Sequence, residues 1–177
     1  MTARKITFAA LAVALVFLFT LINIPIPFGG GYVHLGDTAI YLVCCLLPLP
    51  AAIIAGGIGS CLADLALGYG FYAPFTLVVK ALMALIASLM LRKHNTQLYL
   101  LAAFVVSGMF MQVAYLGVNV LYFGEAVTVA AFLFGCIQTV VAIPLAMLAC
   151  GLLLRNKTVC DLCGTQLRAK KKEKPEE

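Results

Sequence analysis

An almost continuous apolar stretch, residues 6–154, constrains the fold of this chain more than any other feature. The chain has 177 residues, of which 64% are hydrophobic and only 11% are charged, whereas charged residues make up roughly a quarter of an ordinary soluble domain. Its mean hydropathy is +1.08. We therefore predict an integral membrane protein.

The apolar stretch has room for six helices of membrane-spanning length. A helix needs about 20 residues to cross the hydrocarbon core of a bilayer, and prolines, glycines and charged residues divide the stretch. The predicted spans are residues 5–24, 37–47, 51–67, 74–91, 98–123 and 126–154, of which the second is short for a full crossing. We predict an all-α integral membrane protein in which residues 1–154 form one compact bundle of six transmembrane helices. Residues 155–177 are expected to be a basic, disordered cytoplasmic tail.

The placement of lysines and arginines predicts the orientation of this bundle. With a cytoplasmic N-terminus, the inner segments hold eleven of the twelve basic residues, and the twelfth, Lys80, lies inside the fourth span. Basic residues are enriched on the cytoplasmic side of membrane proteins, so we expect both termini in the cytoplasm. The net charge of +5 is then an orientation signal. We expect no nucleic-acid partner, and the basic tail is suited to contact membrane lipid.

Polar side chains within the predicted spans are the candidate functional residues, because such groups are costly in lipid and therefore face protein, water or a ligand. Lys80 lies on a face of small residues in the fourth span, and Asp64 shares a face with Gly57 and Ser60 in the third, so neighbouring helices can approach both. In the fifth span one face carries Gly108, Gln112, Tyr115, Asn119 and Tyr122. The candidate binding residues within the spans are Asp64, Thr76, Lys80, Gln112, Tyr115, Asn119 and Gln138, and His34 and Asp37 join them from the first outer loop.

The depths of these residues predict a pocket that opens to the outside. Most of them lie in the outer half of their spans, whereas the inner half holds almost no buried polar residues, so the floor of the pocket is apolar. The pocket would offer one cation, amides, hydroxyls and tyrosine rings. This mixture suits a small, polar, heteroaromatic ligand.

Structural roles remain as alternatives for four of the candidate residues. Lys80 and Asp64 lie at depths that allow a structural ion pair, which would not prevent Lys80 from contacting a ligand. Asp37 or Thr38 is placed to cap the second span, a common role for both residue types. For His34, the alternative is a solvated loop histidine without a role in binding.

Four elements of the pattern resemble the substrate-binding S components of energy-coupling factor (ECF) vitamin transporters. These are HLGD at residues 34–37, GGIGSCLAD at residues 56–64, GYGFYAP at residues 68–74, and the membrane-embedded Lys80. The resemblance implies a subunit of the prokaryotic plasma membrane that captures a vitamin or related metabolite from outside for uptake driven by ATP. It implies that the first outer loop, with His34, closes over the substrate, and it adds Tyr72 to the candidate substrate-binding residues.

The resemblance also implies partners and a substrate class. The partners would be a transmembrane coupling protein and a pair of ATPase subunits. Ala10 and Ala14 in the first span would form the docking site, because small residues four positions apart allow close helix approach; internal packing is the alternative. Pyridoxine-like and hydroxymethylpyrimidine-like ligands are favoured, followed by riboflavin, pantothenate and nucleoside-type ligands.

Other functional classes are poorly supported by the sequence. It contains no phosphate-binding Gly-x-x-x-x-Gly-Lys-[Ser/Thr] loop, no His-Glu-x-x-His and no Gly-x-Ser-x-Gly, so we expect neither an enzyme nor a bound cofactor. Cys160 and Cys163 form a single Cys-x-x-Cys pair, whereas tetrahedral zinc needs four ligands, so we expect no metal site unless two chains share an ion. The alternative transporter function is a self-sufficient proton-coupled carrier that uses Asp64 or Glu125.

Overall fold

The computed structural model of the protein describes residues 3–25, 32–92, 96–156 and 158–159. Within these ranges the chain forms six helices and one short two-stranded ribbon. In chain order they are α1 (Ala3–Leu21), β1 (Asn23–Pro25), β2 (Tyr32–His34), α2 (Gly36–Leu46), α3 (Leu49–Ala66), α4 (Ala73–Leu91), α5 (Gln97–Phe123) and α6 (Glu125–Leu153). The predicted all-helical class is confirmed. Most of the predicted tail, including Cys160 and Cys163, lies outside the described residues.

Helices α3, α4, α5 and α6 are each long and apolar enough to cross a membrane. The described apolar part of α1, Lys5–Leu21, and helix α2 are shorter. Helix length and composition therefore support a membrane protein with four candidate spans. The count of six complete crossings stays a prediction.

Prolines, a glycine and one threonine explain several helix boundaries. Pro50 and Pro74 lie in the first turns of α3 and α4, where the missing proline N–H costs no hydrogen bond within the helix. The side-chain oxygen of Thr96 accepts a hydrogen bond from the backbone N–H of Tyr99 at 3.3 Å and so caps α5. Gly124 separates α5 from α6 with a φ of 79°, a conformation that favours glycine.

Helix α3 packs closely against both α1 and α4 because glycines lie at its contacts. A Cβ atom added at Gly59 would lie 2.8 Å from Val16 Cβ in α1, and one added at Gly57 would lie 2.9 Å from the carbonyl oxygen of Leu77 in α4. A glycine removes the side chain that would otherwise keep the helices apart. The predicted close approach to this face is confirmed, and it brings α3 within reach of the polar face of α4.

The first outer connection contains a β-ribbon that the sequence did not predict. Strands β1 and β2 are antiparallel and pair Asn23 with His34, Ile24 with Val33 and Pro25 with Tyr32. Alternate residues of a strand point to the same side, so Tyr32 and His34 share one face. The sequence indicated an irregular loop because proline and glycine dominate this connection and each strand has only three residues.

The apolar core fills the bundle and draws on all six helices. Its fully buried members include Val16, Ile40, Tyr41, Ala52, Met83, Phe104 and Ala146. The Tyr41 ring stacks on Phe104 with ring centroids 4.3 Å apart, and the Tyr41 hydroxyl donates to the carbonyl oxygen of Phe104 at 2.9 Å. Tyr41 is therefore buried with its polar atom satisfied.

We expect Gly59→Ala to destabilise the protein, because the added methyl group would press against Val16 and force α1 away from α3. The expected loss is about 1–3 kcal/mol in the free energy of unfolding. Thermal unfolding can be followed with a thiol-reactive dye, since the chain has no tryptophan and Cys44 and Cys150 are buried.

Gly117→Ala in α5 is the matched control, because nothing lies within 4 Å of a Cβ at that position. Both substitutions replace a helical glycine by alanine, so the gain in helix propensity is shared. Only the contact with α1 differs between the two variants. Equal melting temperatures for them would show that α1 and α3 are not held this closely.

Candidate functional site

A cavity of about 80 Å³ is lined by residues from β2, α3, α4, α5 and α6. Nine of the ten residues that the sequence indicated as substrate-binding line it, and these are His34, Asp64, Tyr72, Thr76, Lys80, Gln112, Tyr115, Asn119 and Gln138. The structure thus brings together side chains that are up to a hundred positions apart in the chain. Their role in binding a ligand stays a prediction.

The tenth residue, Asp37, is not one of the lining residues, but it forms a salt bridge with Lys80, which is one of them. Both side chains are only 1% exposed. Helix α2 begins at Gly36, and its N-cap residue makes no side-chain capping hydrogen bond, so the interpretation of Asp37 or Thr38 as the cap is wrong. The alternative that Lys80 pairs with Asp64 is also wrong, because Lys80 forms its salt bridge with Asp37. The depth of a residue along its helix did not show that α2 packs beside α4.

The ion pair is linked to the outer ribbon through Gln138 of α6. The Gln138 Nε2 atom donates to Asp37 Oδ2 at 2.6 Å, and its Oε1 atom accepts from the backbone N–H of His34 at 2.9 Å. One amide therefore connects three elements, α2, β2 and α6. Any movement of the ribbon away from the bundle breaks the bond from His34 to Gln138.

His34 is held as a neutral imidazole over the cavity. Burial, together with the ammonium group of Lys80, lowers the pKa of His34 to about 4. The His34 Nδ1 atom accepts a hydrogen bond from the backbone N–H of Gly36 at 3.0 Å. In a neutral ring whose Nδ1 is an acceptor, the proton is on Nε2, so His34 can donate one hydrogen bond from that atom.

Tyr32 lines the cavity although the sequence analysis did not select it. Its hydroxyl donates to Asp64 Oδ1 at 2.5 Å and so connects β2 to α3. Burial, reinforced by the Asp64 carboxylate, raises the pKa of Tyr32 above its usual value of 10.0, so the phenol remains protonated and is the donor. The position of Tyr32 two residues before His34 is the signal that could have identified it.

The polar faces of α4 and α5 meet side by side. The Tyr72 hydroxyl donates to Asn119 Oδ1 at 2.8 Å, and the hydroxyls of Thr76 and Tyr115 are hydrogen-bonded at 2.8 Å. Lys80 Nζ lies 5.8 Å from the centroid of the Tyr115 ring, within the range of a cation–π interaction. The predicted inward orientation of these two faces is confirmed.

Three further cavity-lining residues, Met111, Ala131 and Gly135, were missed because they carry no charge or hydrogen-bond donor. The Met111 sulfur accepts from Lys80 Nζ at 2.8 Å. At Gly135, an added Cβ would meet the amide end of the Gln112 side chain, so a larger residue would displace this amide from its present position. Apolar residues of this kind cannot be separated from ordinary core residues by sequence pattern.

Two polar residues of the outer half lie away from the cavity. Tyr122 is 57% exposed, and its ring packs against Phe71 and Phe75. Glu125 is exposed in the first turn of α6. The predicted polar face of α5 therefore lines the cavity only as far as Asn119.

The arrangement is suited to binding a polar molecule. Tyrosine rings, carboxamides, hydroxyls, one ammonium group and one carboxylate surround the cavity, which matches the composition of small-molecule sites. Among the described residues, no group of three or more histidines, cysteines or acidic residues could hold a metal ion.

We expect Lys80→Met to destabilise the protein, because it leaves Asp37 as a buried carboxylate without its cation. The expected loss is about 3–5 kcal/mol in the free energy of unfolding. The double variant Lys80→Met with Asp37→Asn should recover most of this loss, since it removes both charges. Lys5→Met is the matched control because Lys5 is exposed. A double variant that melts as low as Lys80→Met would show that the ion pair is not the source of the instability.

Comparison with known proteins places the chain in a family. The family model described as "ECF-type riboflavin transporter, S component" matches residues 1–154. A protein of Pyrococcus woesei, described as an uncharacterized protein in the gap 3′ region, is 35% identical over 120 residues, which cover 68% of this chain and 80% of that protein. The family consists of substrate-binding subunits of membrane transporters and is not an enzyme family. This chain therefore belongs to the family of ECF-type transporter S components.

Proposed function

We propose that this chain captures a small heteroaromatic vitamin from outside the cell and passes it to partner subunits that drive uptake by hydrolysing ATP. The convergence of polar side chains from five elements on one cavity carries the proposal. It is supported by the family match, which extends over all six helices. In this arrangement the six helices cross the prokaryotic plasma membrane and both termini are cytoplasmic, as the basic residues indicate.

The size of the cavity favours a single-ring vitamin such as pyridoxine or hydroxymethylpyrimidine. Its volume of about 80 Å³ is well below the roughly 300–1,000 Å³ of pockets that enclose drug-sized ligands. The rings of Tyr32, Tyr72 and Tyr115 provide apolar surface for a planar ligand. Riboflavin is the second candidate, because the matching family model carries that name. It would require the outer ribbon to move and enlarge the cavity.

The exposed surface of α1 favours docking of a partner there. Ala10 and Ala14 are exposed, whereas Ala12 and Val16 on the other side of the helix are buried. Ala10 and Ala14 are thus not used for packing inside the bundle. In the proposed complex, a coupling protein contacts Ala10 and Ala14, and a pair of ATPase subunits binds the coupling protein.

Ligand binding tests the proposed function directly. Native mass spectrometry of protein purified without added ligand should show a bound small molecule, and calorimetry should rank pyridoxine, hydroxymethylpyrimidine and riboflavin. Lys80→Met with Asp37→Asn should bind the preferred ligand about 1.5–3 kcal/mol more weakly if the ammonium donates to a ligand oxygen. No binding of any of these ligands would contradict the proposal. Uptake by the chain alone that collapses with an uncoupler would instead indicate a proton-coupled carrier.

Replacing Ala10 and Ala14 by leucine should block the coupling protein while leaving the cavity intact. We expect ligand binding near that of the unmodified protein and uptake reduced by at least about tenfold, which corresponds to a docking loss of about 1.4 kcal/mol. Uptake of labelled ligand is measured in vesicles that also contain the coupling protein and the ATPases. Leucines at Ala66 and Ala126, which are also exposed, form the control. Equal uptake by both double variants would remove the docking assignment.

A further inference from the structure

The charges around the cavity do not balance. Asp37 and Lys80 neutralise each other as a buried salt bridge, and His34 is neutral because its pKa is about 4. Asp64 is the remaining charged side chain among the described residues that line the cavity. With Asp64 ionised, the side chains that line the cavity therefore carry one excess negative charge.

One oxygen of Asp64 has no hydrogen-bond partner. Asp64 is 4% exposed, its Oδ1 atom accepts from Tyr32, and its Oδ2 atom is buried without a partner among the described residues. The hydroxyl of Thr76 interacts with the Asp64 carboxylate and is hydrogen-bonded to Tyr115, but it does not satisfy Oδ2. Buried polar atoms are normally paired because an unpaired one is costly. A ligand that donates a hydrogen bond to Oδ2 would remove this cost.

In the part of the chain that the structure describes, two other buried side-chain oxygens make no hydrogen bond to a nitrogen or oxygen atom, but neither can serve the ligand. They belong to Ser60 and Ser88, and neither residue lines the cavity. Asp64 thus differs from both in being charged and in facing the site. Its unpaired oxygen points to a property of the ligand, whereas the two hydroxyls do not.

We infer that the ligand binds Asp64 Oδ2 through an N–H group of a cationic or amino-substituted nitrogen heterocycle, and that the site rejects analogues bearing a carboxylate or phosphate. The inference rests on the proposed function and adds the charge of the substrate. A hydrogen bond from a cationic or polarised N–H to a carboxylate is stronger than one between neutral groups. A second anion beside Asp64 would be repelled strongly, because water does not screen charges inside the bundle.

The expected rejection of acidic ligands follows from the contacts that Lys80 already makes. A lone lysine in such a cavity would attract an acidic ligand, such as one with a carboxylate. Here its ammonium group is already neutralised by Asp37 and also donates to Met111. Lys80 can still donate one more hydrogen bond to a neutral oxygen of the ligand. It cannot supply the net positive charge that an anion requires.

Two pairs of compounds test the inference by calorimetry on the full-length protein in lipid nanodiscs. The first pair is hydroxymethylpyrimidine and its analogue with the ring amino group replaced by a methyl group, which has no N–H to donate; the second is pyridoxine and pyridoxic acid, which carries a carboxylate. The unmodified protein should prefer the first member of each pair by about 10- to 100-fold. Asp64→Asn should bind the amino compound about 10- to 100-fold more weakly and lose the discrimination against pyridoxic acid.

Ser60→Ala is the matched control, since it lies one turn before Asp64 on α3 and removes an oxygen that has no partner. It should keep the affinities and the selectivity of the unmodified protein. Asn at position 64 retains an oxygen that can accept from Tyr32, so Asp64→Asn should fold, as a thermal melt will show. If Asp64→Asn does not fold, the selectivity of the unmodified protein between the members of each pair still tests the inference.

The outcomes separate this inference from the proposed function. Equal affinity of the unmodified protein for both members of each pair overturns the charge inference and leaves the proposed uptake standing. Unchanged affinities in Asp64→Asn overturn it as well, as does tighter binding of pyridoxic acid than of pyridoxine. If none of the four compounds and no riboflavin binds, the proposed ligand class and the inference both fail.

Discussion

The buried ion pair between Lys80 of α4 and Asp37 of α2 connects most of the elements around the cavity. Gln138 extends it to α6 and to the backbone of β2, and the sulfur of Met111 extends it to α5. A buried ion pair is costly to form but still more costly to break by removing one partner. The relative positions of α2, α4 and α6 are therefore sensitive to the loss of one charge without the other.

Close packing of α3 complements this polar network. Gly57 and Gly59 allow α4 and α1 to approach α3 almost to backbone contact, and this approach brings Asp64 to the cavity beside Thr76 and Lys80. A larger residue at either glycine would move the helices apart and shift Asp64 with them. The small residues on α3 thus have two effects, a tight bundle and the placement of one carboxylate.

Two hydrogen bonds of different character connect the outer ribbon to α3 and α6. Tyr32 donates its phenol proton to Asp64, and the backbone N–H of His34 donates to Gln138. Both acceptors line the cavity, so a ligand that competes for either of them also affects how the ribbon is held. We therefore expect ligand binding and ribbon position to be coupled through these shared hydrogen-bond acceptors.

The sequence by itself determined which residues are helical and which faces of α4 and α5 turn inward. Apolar length, proline and glycine positions, and three- and four-residue spacing are local properties. They identified the helices and, with the polar residues between them, eight of the cavity-lining residues; the family resemblance added Tyr72. Only the tertiary structure decided that Lys80 pairs with Asp37 and that Tyr32 pairs with Asp64. Such partners depend on which helices are neighbours and how far each is shifted along its axis, and no local spacing encodes these quantities.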